Sequence, residues 1–245
     1  MSRLARTISE SRVYHILFRG VNQQNIFEED ADFIKLKETI LIVKKDLDFE
    51  IYAYCFMSNH VHIVLKEKNL GDISLIMKRI LTKYARWYNI KYGRSGALIA
   101  NRYKSVPVEI DEYFLHLIRY VHQNPIKAGI IDKIENYPYS SFIEYIDKTN
   151  LTDTNFLLQM MSLKEFVDYH QEIETMKFHV TDSKRKTDED VLMFLKKQYN
   201  IDNPKSISKF SKIDRNKILA ELKKEFSVRH LQRITGISRG VITNA

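Results

Sequence analysis

Two histidines, His60 and His62, are separated only by Val61 inside the apolar run that extends from Ile51 to Leu65. In an extended chain the side chains alternate between faces, so histidines at i and i+2 point the same way, about 7 Å apart at their Cα atoms. Two imidazoles on one face can grip a single divalent cation. The β-branched Ile63 and Val64 favour a strand here, and Ser58 with Asn59 supplies turn chemistry just before it. Alone, the pair suits zinc, iron or nickel as readily as a harder cation, and a single strand histidine is more often hydrogen-bonded to a neighbour than bound to metal. A chemical role for the pair therefore requires further groups nearby.

Such groups occur between Asp111 and Gly129. Leu115, Ile118 and Val121 recur at spacings of three, Asp111 is placed to cap the start, and Pro125 ends the pattern, which predicts a helix over about 111–123. Tyr120 lies four residues before Asn124, so a phenol and an amide share one helical face. A phenol with an ordinary pKa near 10 is ionised in only about one molecule in a thousand at neutral pH, and a nearby metal changes that. The competing reading is that a tyrosine in an amphipathic helix is core or interface.

Taken together, these residues carry a resemblance. Met57-Ser-Asn-His-Val-His62, followed by Arg119-Tyr-Val-His-Gln-Asn-Pro-Ile-Lys-Ala-Gly129, resembles the signature of the REP-associated tyrosine transposases, a branch of the IS200/IS605-like single-tyrosine HUH nucleases. Tyr14-His-Ile-Leu-Phe-Arg-Gly20, Arg102-Tyr-Lys-Ser105 and Tyr137-Pro-Tyr-Ser-Ser-Phe142 add to it, in the family's order, over about residues 12 to 146. The resemblance implies that Tyr120 is the nucleophile, that His60, His62 and Asn124 hold Mg²⁺ or Mn²⁺, and that the enzyme cleaves and rejoins single-stranded DNA through a covalent 5′-phosphotyrosine. It also implies hairpin-forming, REP-like palindromic DNA as substrate, and favours a monomer over a homodimer. Two departures stand out: Ser58 where relatives commonly have Pro, and Leu98-Ile-Ala-Asn101 where an aromatic-rich stretch is usual. The first bears on the turn before the histidines and the second on DNA contacts. Neither removes a chemical group. Two other readings remain open: a non-catalytic DNA- or RNA-binding regulator, and a metal-dependent hydrolase that uses water and leaves no covalent product.

The elements that must position these groups follow from periodicity. Val13 to Arg19 is predicted as a strand and Ala31 to Asp46 as a helix with Phe33, Leu36, Ile40 and Val43 inward. Phe49 to Phe56 and Val61 to Lys66 then form a hairpin. A helix from Ile73 to Tyr92 presents Ile76, Ile80, Tyr84 and Trp87 on one stripe, and a strand over Tyr103 to Ile110 leads into the Tyr120 helix. This β-α-β-β-α-β order predicts an α+β, ferredoxin-like (RRM-like) antiparallel sheet with helices on one face. Arg19, Lys78, Arg79, Lys83, Arg86, Arg102 and Lys104 are available to neutralise phosphates. Tyr14, Tyr103 and Trp87 are candidates for base stacking.

Charge is distributed unevenly. Residues 1 to 150 carry 22 Lys plus Arg against 18 Asp plus Glu, residues 151 to 183 carry 2 against 6, and residues 184 to 245 carry 15 against 7, within a net charge of +8. The basic C-terminal stretch invites nucleic acid. In Phe226 to Thr243, Ser227 is placed as a cap, Val228, Leu231 and Ile234 form an apolar stripe, Gly236 suits a left-handed helix end, and Ser238 is a second cap. This resembles a helix-turn-helix in which Ser238, Arg239 and Thr243 face duplex DNA while Arg229 and Arg233 reach phosphates. A basic helical hairpin with no DNA role is the alternative. Helices at about 187–199 and 213–226 supply its core.

The predicted organisation is thus a transposase-like domain over 1–148, a helical extension and linker over 149–183 with the linker proper at 179–187, and a basic helical module over 184–245. With one cysteine, Cys55, the chain has no internal disulfide and no Cys-rich metal site, and Cys55 on its apolar strand reads as a small buried residue in a reducing cytoplasm. No run approaches the roughly 20 apolar residues that span a bilayer, and no signal peptide is evident. The expectation is a cytoplasmic protein without membrane partners.

Overall fold

The computed structural model describes residues 7–100, 102–109, 111–147, 151–176, 178, 188–226 and 228–245. The linker expected at 179–187, the caps expected at Ser227 and from the Asp111 side chain, and Asn101 of the aromatic-poor stretch lie outside the described residues. The chain divides into two units, 1–180 and 181–245.

In the first unit the elements run β1 (Val13–Arg19), α1 (Asp30–Leu47), β2 (Glu50–Met57), β3 (His60–Lys66), α2 (Ile73–Lys91), β4 (Lys104–Pro107) and α3 (Asp111–Lys127). Three short helices follow: α4 (Phe142–Ile146), α5 (Asn155–Met160) and α6 (Leu163–Gln171). The strands form one antiparallel sheet in the order β2-β3-β1-β4. The histidine strand β3 is therefore central, paired on both sides.

Strand alternation sorts the side chains between two cores. Tyr14, Ile16 and Phe18 of β1, Tyr54 and Phe56 of β2, and Val61, Ile63 and Leu65 of β3 pack with Leu36, Ile40 and Val43 of α1 and Ile76, Ile80 and Tyr84 of α2. Val13, Ala53, Cys55, Met57 and Val64 point the other way, onto Phe114, Leu117, Ile118, Tyr120 and Val121 of α3. The expectation of helices on one face is thus corrected. The apolar stripe of α3 must be buried too, and the apolar residues on the second face of β2 and β3 provide the surface for it. A bulge between Ile51 and Ala53 lets Ile51 face the first core while Tyr52 and Ala53 face the second. Leu157, Phe166 and Phe178 complete the α3 core, so α5 and α6 pack onto the sheet domain.

The edge of β2 is covered. Phe56 N–H donates to Tyr139 O (2.9 Å) and Ser141 N–H to Tyr54 O (3.0 Å), while the Tyr137 and Tyr145 hydroxyls donate to Phe56 O and Tyr52 O, both at 2.7 Å. The Ser58–Asn59 turn is also pinned. Ile26 and Phe27 N–H groups donate to Ser58 O (2.8 and 3.1 Å) and Gly20 N–H to Asn59 O (2.9 Å), which ties a turn that has serine at position 58.

Helix α3 does not stop before Pro125 as the pattern predicts; it runs through to Lys127 with Pro125 inside. Proline has no N–H for the Val121 carbonyl four residues back. The Asn124 side chain replaces it: Nδ2 donates to Tyr120 O (2.8 Å) and Val121 O (3.3 Å). The helix then ends at Gly129, whose φ of 67° is the left-handed conformation glycine adopts without strain. Strand β4 covers only Lys104–Pro107 of the expected Tyr103–Ile110.

The second unit contains α7 (Asp188–Tyr199), α8 (Lys212–Glu225), α9 (Val228–Thr235) and α10 (Arg239–Thr243) around Val191, Leu195, Ile207, Leu219, Leu222, Leu231 and Ile242. Gly236 has φ of 75° between α9 and α10. Ser238 occupies the residue before α10, yet its side chain makes no capping bond. Among the described residues no helix is long and apolar enough to cross a membrane.

Candidate functional site

The second face of the sheet carries the chemistry. Cross-strand register sets Arg19 opposite His60, Leu17 opposite His62 and Cys55 opposite His62, with Lys104 opposite Leu17 on β4. Directly opposed residues share a face, so His60 and His62 point toward α3, as i and i+2 parity requires. Their rings meet edge to face with centroids 5.2 Å apart, and the His62 ring lies 5.7 Å from the Tyr120 ring. The histidines and the tyrosine therefore meet, although they come from distant parts of the chain.

Each histidine has one nitrogen committed. His60 Nδ1 bonds Asn59 Oδ1 at 2.7 Å, and His62 Nδ1 bonds His15 Nε2 at 3.0 Å. An amide oxygen only accepts, so His60 carries its proton on Nδ1 and keeps the Nε2 lone pair. Burial drives all three imidazoles toward the neutral form. His60 is lowered to about 4 by burial and by the Arg19 cation, His15 to about 3 by burial, and His62 well below the ordinary histidine value by burial and by the neighbouring His15 and His60. Neutral imidazole is the metal-binding form.

Tyr120 is buried, and burial pushes its phenol up to about 12, with Tyr113 and Cys55 adding to the rise. Its hydroxyl makes no hydrogen bond among the described residues. The Phe178 ring covers it at 4.5 Å, and Lys127 Nζ stands 4.8 Å from the ring centroid. Asn124, one turn along, spends Nδ2 on the backbone of α3 and keeps Oδ1 as an oxygen donor. Among the described residues no three His, Cys, Asp or Glu side chains cluster as a ligand set. The available donors are two imidazole nitrogens and one amide oxygen. Imidazole nitrogens take borderline metals and an amide oxygen takes harder ones, so these donor types suit a divalent cation without selecting which.

The other expected contact residues are dispersed. Arg19 is half-buried beside His60, and Lys104 is exposed on the neighbouring strand, its ammonium lowered by burial and by the Arg19 charge. Arg102 lies away from the histidines, in a cleft of about 600 Å³ beside α2 that it shares with Lys78 and Arg86. Tyr14 is unavailable for stacking, being 1% exposed with its hydroxyl on Glu67 (3.1 Å), and Tyr103 is buried as well. Trp87 is half-buried against the α1/α2 core. In the second unit Arg229, Ser238 and Thr243 are exposed, Arg239 Nε donates to Gln232 Oε1 (2.6 Å), and Arg233 pairs with Asp188, with Nη1 to Oδ2 at 2.8 Å.

Several residues of the Arg119–Asn124 stretch do structural work that sequence reasoning missed. Arg119 Nε meets Glu174 Oε2 at 2.9 Å and Nη1 meets Glu172 Oε2 at 2.7 Å. Gln123 Nε2 donates to His170 O (2.9 Å) and Glu172 O (2.7 Å), and its Oε1 accepts from Glu174 N (3.0 Å). His122 joins His170 Nε2 (2.9 Å) to Ser141 Oγ (2.7 Å). These bonds clamp residues 169–176 to the helix that presents Tyr120. Helical spacing turns Arg119 (i−1) and His122 (i+2) away from the Tyr120 face and sets Gln123 (i+3) at its margin, and nothing local names their partners.

Residues 9–124 match the family described as Transposase IS200 like. A REP-associated tyrosine transposase of Escherichia coli is 25% identical over 143 residues, covering 55% of this chain and 83% of that protein. A Haemophilus influenzae protein, provisionally assigned to the same group, is 28% identical over 105 residues, covering 38% of this chain and 59% of its own length. The chain thus spans somewhat over half of that relative. Among solved structures, a REP-associated tyrosine transposase bound to a REP hairpin superposes with a TM-score of 0.51 at 20% identity, over 60% of this chain and 87% of the other. The sheet domain that gathers His60, His62 and Tyr120 on one face thus matches the IS200-like transposase model over residues 9–124 and is similar in sequence to REP-associated tyrosine transposases.

Proposed function

We propose that this chain cleaves and rejoins single-stranded DNA at hairpin-forming, REP-like palindromes, with Tyr120 as nucleophile. The observation that carries the reading is the approach of the Tyr120 ring to within 5.7 Å of His62 across the α3–β3 contact. The Tyr120 oxygen forms a bond to a backbone phosphorus while the phosphorus–O3′ bond breaks, giving a 5′-phosphotyrosine and a free 3′-hydroxyl that ends with the proton. One phosphodiester replaces another, so a second 3′-hydroxyl reverses the attack and joins strands without ATP. His60, His62 and Asn124 would hold Mg²⁺ or Mn²⁺, which when bound supplies charge neutralisation at a non-bridging phosphate oxygen. Burial keeps Tyr120 protonated until substrate arrives, and Arg19 and Lys104 offer positive charge along the same sheet face.

On this reading the sheet is ferredoxin-like, the chain acts as a monomer in the cytoplasm, and the second unit is a helix-turn-helix-like duplex binder. Ser238, Arg239 and Thr243 would meet base edges there, and Arg229 and Arg233 phosphates, with Arg233 exchanging Asp188 for DNA. The test is a denaturing gel of protein mixed with end-labelled hairpin oligonucleotides, with and without Mn²⁺. A covalent, slow-migrating species should form with the wild-type chain and vanish with Tyr120→Phe. An adduct that persists in Tyr120→Phe removes the assignment, and cleavage without adduct favours hydrolysis by water.

A further inference from the structure

His15 is fully buried in the middle of β1. Its ring stacks on His62 with centroids 5.2 Å apart at an interplanar angle of 28°, and its edge contact with Tyr120 is 6.0 Å between centroids. Nothing in the chemistry described above uses it. Two neutral imidazoles joined nitrogen to nitrogen share one proton, so either His62 Nδ1 or His15 Nε2 is the donor. The remaining nitrogen, His15 Nδ1, is buried with no hydrogen-bond partner among the described residues. That atom is unpaired in either arrangement, as an N–H when His62 donates and as a lone pair when His15 donates, and a cation on His62 Nε2 selects the first, because it leaves Nδ1 as the one place for the His62 proton. On the neighbouring ligand the matter is settled, since Asn59 Oδ1 obliges His60 to keep its proton on Nδ1.

We propose that His15 is a positioning residue for His62: its Nε2 accepts the proton of His62 Nδ1, which fixes the His62 ring and frees the Nε2 lone pair for the cation. This rests on the reading of His60 and His62 as cation ligands. The two ligands are then held in the same tautomer by different acceptors, an amide oxygen for His60 and a ring nitrogen for His62. Outer partners of this kind typically carry 10- to 100-fold in metal affinity. His15 would do so from a neighbouring strand, locked by the same register that aligns β1 with β3.

The test uses the full chain in two measurements. Long-range proton–nitrogen correlation spectra of ¹⁵N-histidine protein at neutral pH with Mg²⁺ should show His62 protonated on Nδ1 only. A His62 protonated on Nε2 overturns the proposal, and this readout needs no variant to fold. Free Mn²⁺ counted by electron paramagnetic resonance should then give a Kd raised 10- to 100-fold in His15→Phe, with most of the affinity recovered in His15→Gln, whose amide oxygen also accepts. Wild-type Mn²⁺ affinity in His15→Phe, with binding abolished in His62→Ala, overturns the role of His15 alone. Unchanged binding in His62→Ala overturns the cation-site reading beneath it.

Discussion

Arg119 precedes the proposed nucleophile, yet its predicted effect is on stability. The guanidinium is 4% exposed, lies 4.0 Å over the Tyr169 ring, and bonds Glu174, Glu172 and the Tyr169 carbonyl (3.1 Å). Burial pushes the Glu174 carboxyl up, but bonds from the Met176 N–H, His116 and Arg119 hold it below the ordinary carboxylate range. In Arg119→Met the methylene volume stays and the charge goes, leaving a buried carboxylate served, among the described residues, by His116 (2.9 Å) and Met176 N–H (2.7 Å). Breaking a buried pair from one side costs about 3–5 kcal/mol. The two surviving donors place this case near 3 kcal/mol, and Glu172, 72% exposed, adds little. At about 2–4 °C per kcal/mol for a unit of this size, the melting temperature of the first unit should fall by about 6–12 °C. Trp87 is the chain's single tryptophan and lies on α2, so its emission during urea denaturation reads that unit alone. The double variant Arg119→Met, Glu174→Leu should recover more than half of the loss, because no unpaired charge remains. A single-variant loss under 1 kcal/mol, or two losses that simply add, would refute the clamp.

Acid should weaken the same region. Burial lowers His170 to about 4, against an opposing bond to the Phe166 carbonyl, and lowers His122 well below the ordinary value. Both stay neutral when folded and gain protons when unfolded below about pH 6.5, so stability is intact above that pH and declines toward pH 4. His170 alone accounts for about 3 kcal/mol across the window, and Trp87-monitored urea midpoints from pH 8 to 4 should show a plateau and then a fall. Asn124→Ala leaves the Val121 carbonyl, which faces Pro125, without a donor and should cost about 1 kcal/mol in the same assay; adding Pro125→Ala, which restores the backbone donor, should recover most of it. Gly236→Ala places a side chain at φ of 75° and should destabilise the second unit by about 1 kcal/mol. Amide exchange in α9 and α10 should accelerate while Trp87 emission stays unchanged.

How much of this was legible in the sequence depends on the range of each interaction. Parity along one strand put His60 and His62 on a common face, and the i, i+4 spacing put Tyr120 with Asn124; both are local rules. Strands β1 to β3 and helices α1 and α2 appear near their predicted limits for the same reason, whereas β4 is shorter and α3 longer than expected. Pro125 shows where a local rule fails, because its helix-stopping effect is cancelled by the side chain of its own neighbour, Asn124. Arg119, Gln123 and His122 were beyond reach, since their partners lie around residues 141 and 169–174 and nothing in spacing links the two segments.

His15 marks the boundary most sharply. It sits in a strand that was predicted correctly, but whether it meets His62 is decided by the β1–β3 register, which sets Leu17 against His62 and His15 against Val64. Because strand side chains alternate with period two, a slip of one residue in β3 would carry both its histidines to the α1/α2 face and its Val61, Ile63 and Leu65 toward α3. The hydrophobic pattern forbids that slip, for those three side chains are fully buried against the first core. The positions flanking each histidine thus specify the site as strongly as the histidines do, and the chemistry at Tyr120 is held in place by the burial of residues that never touch it.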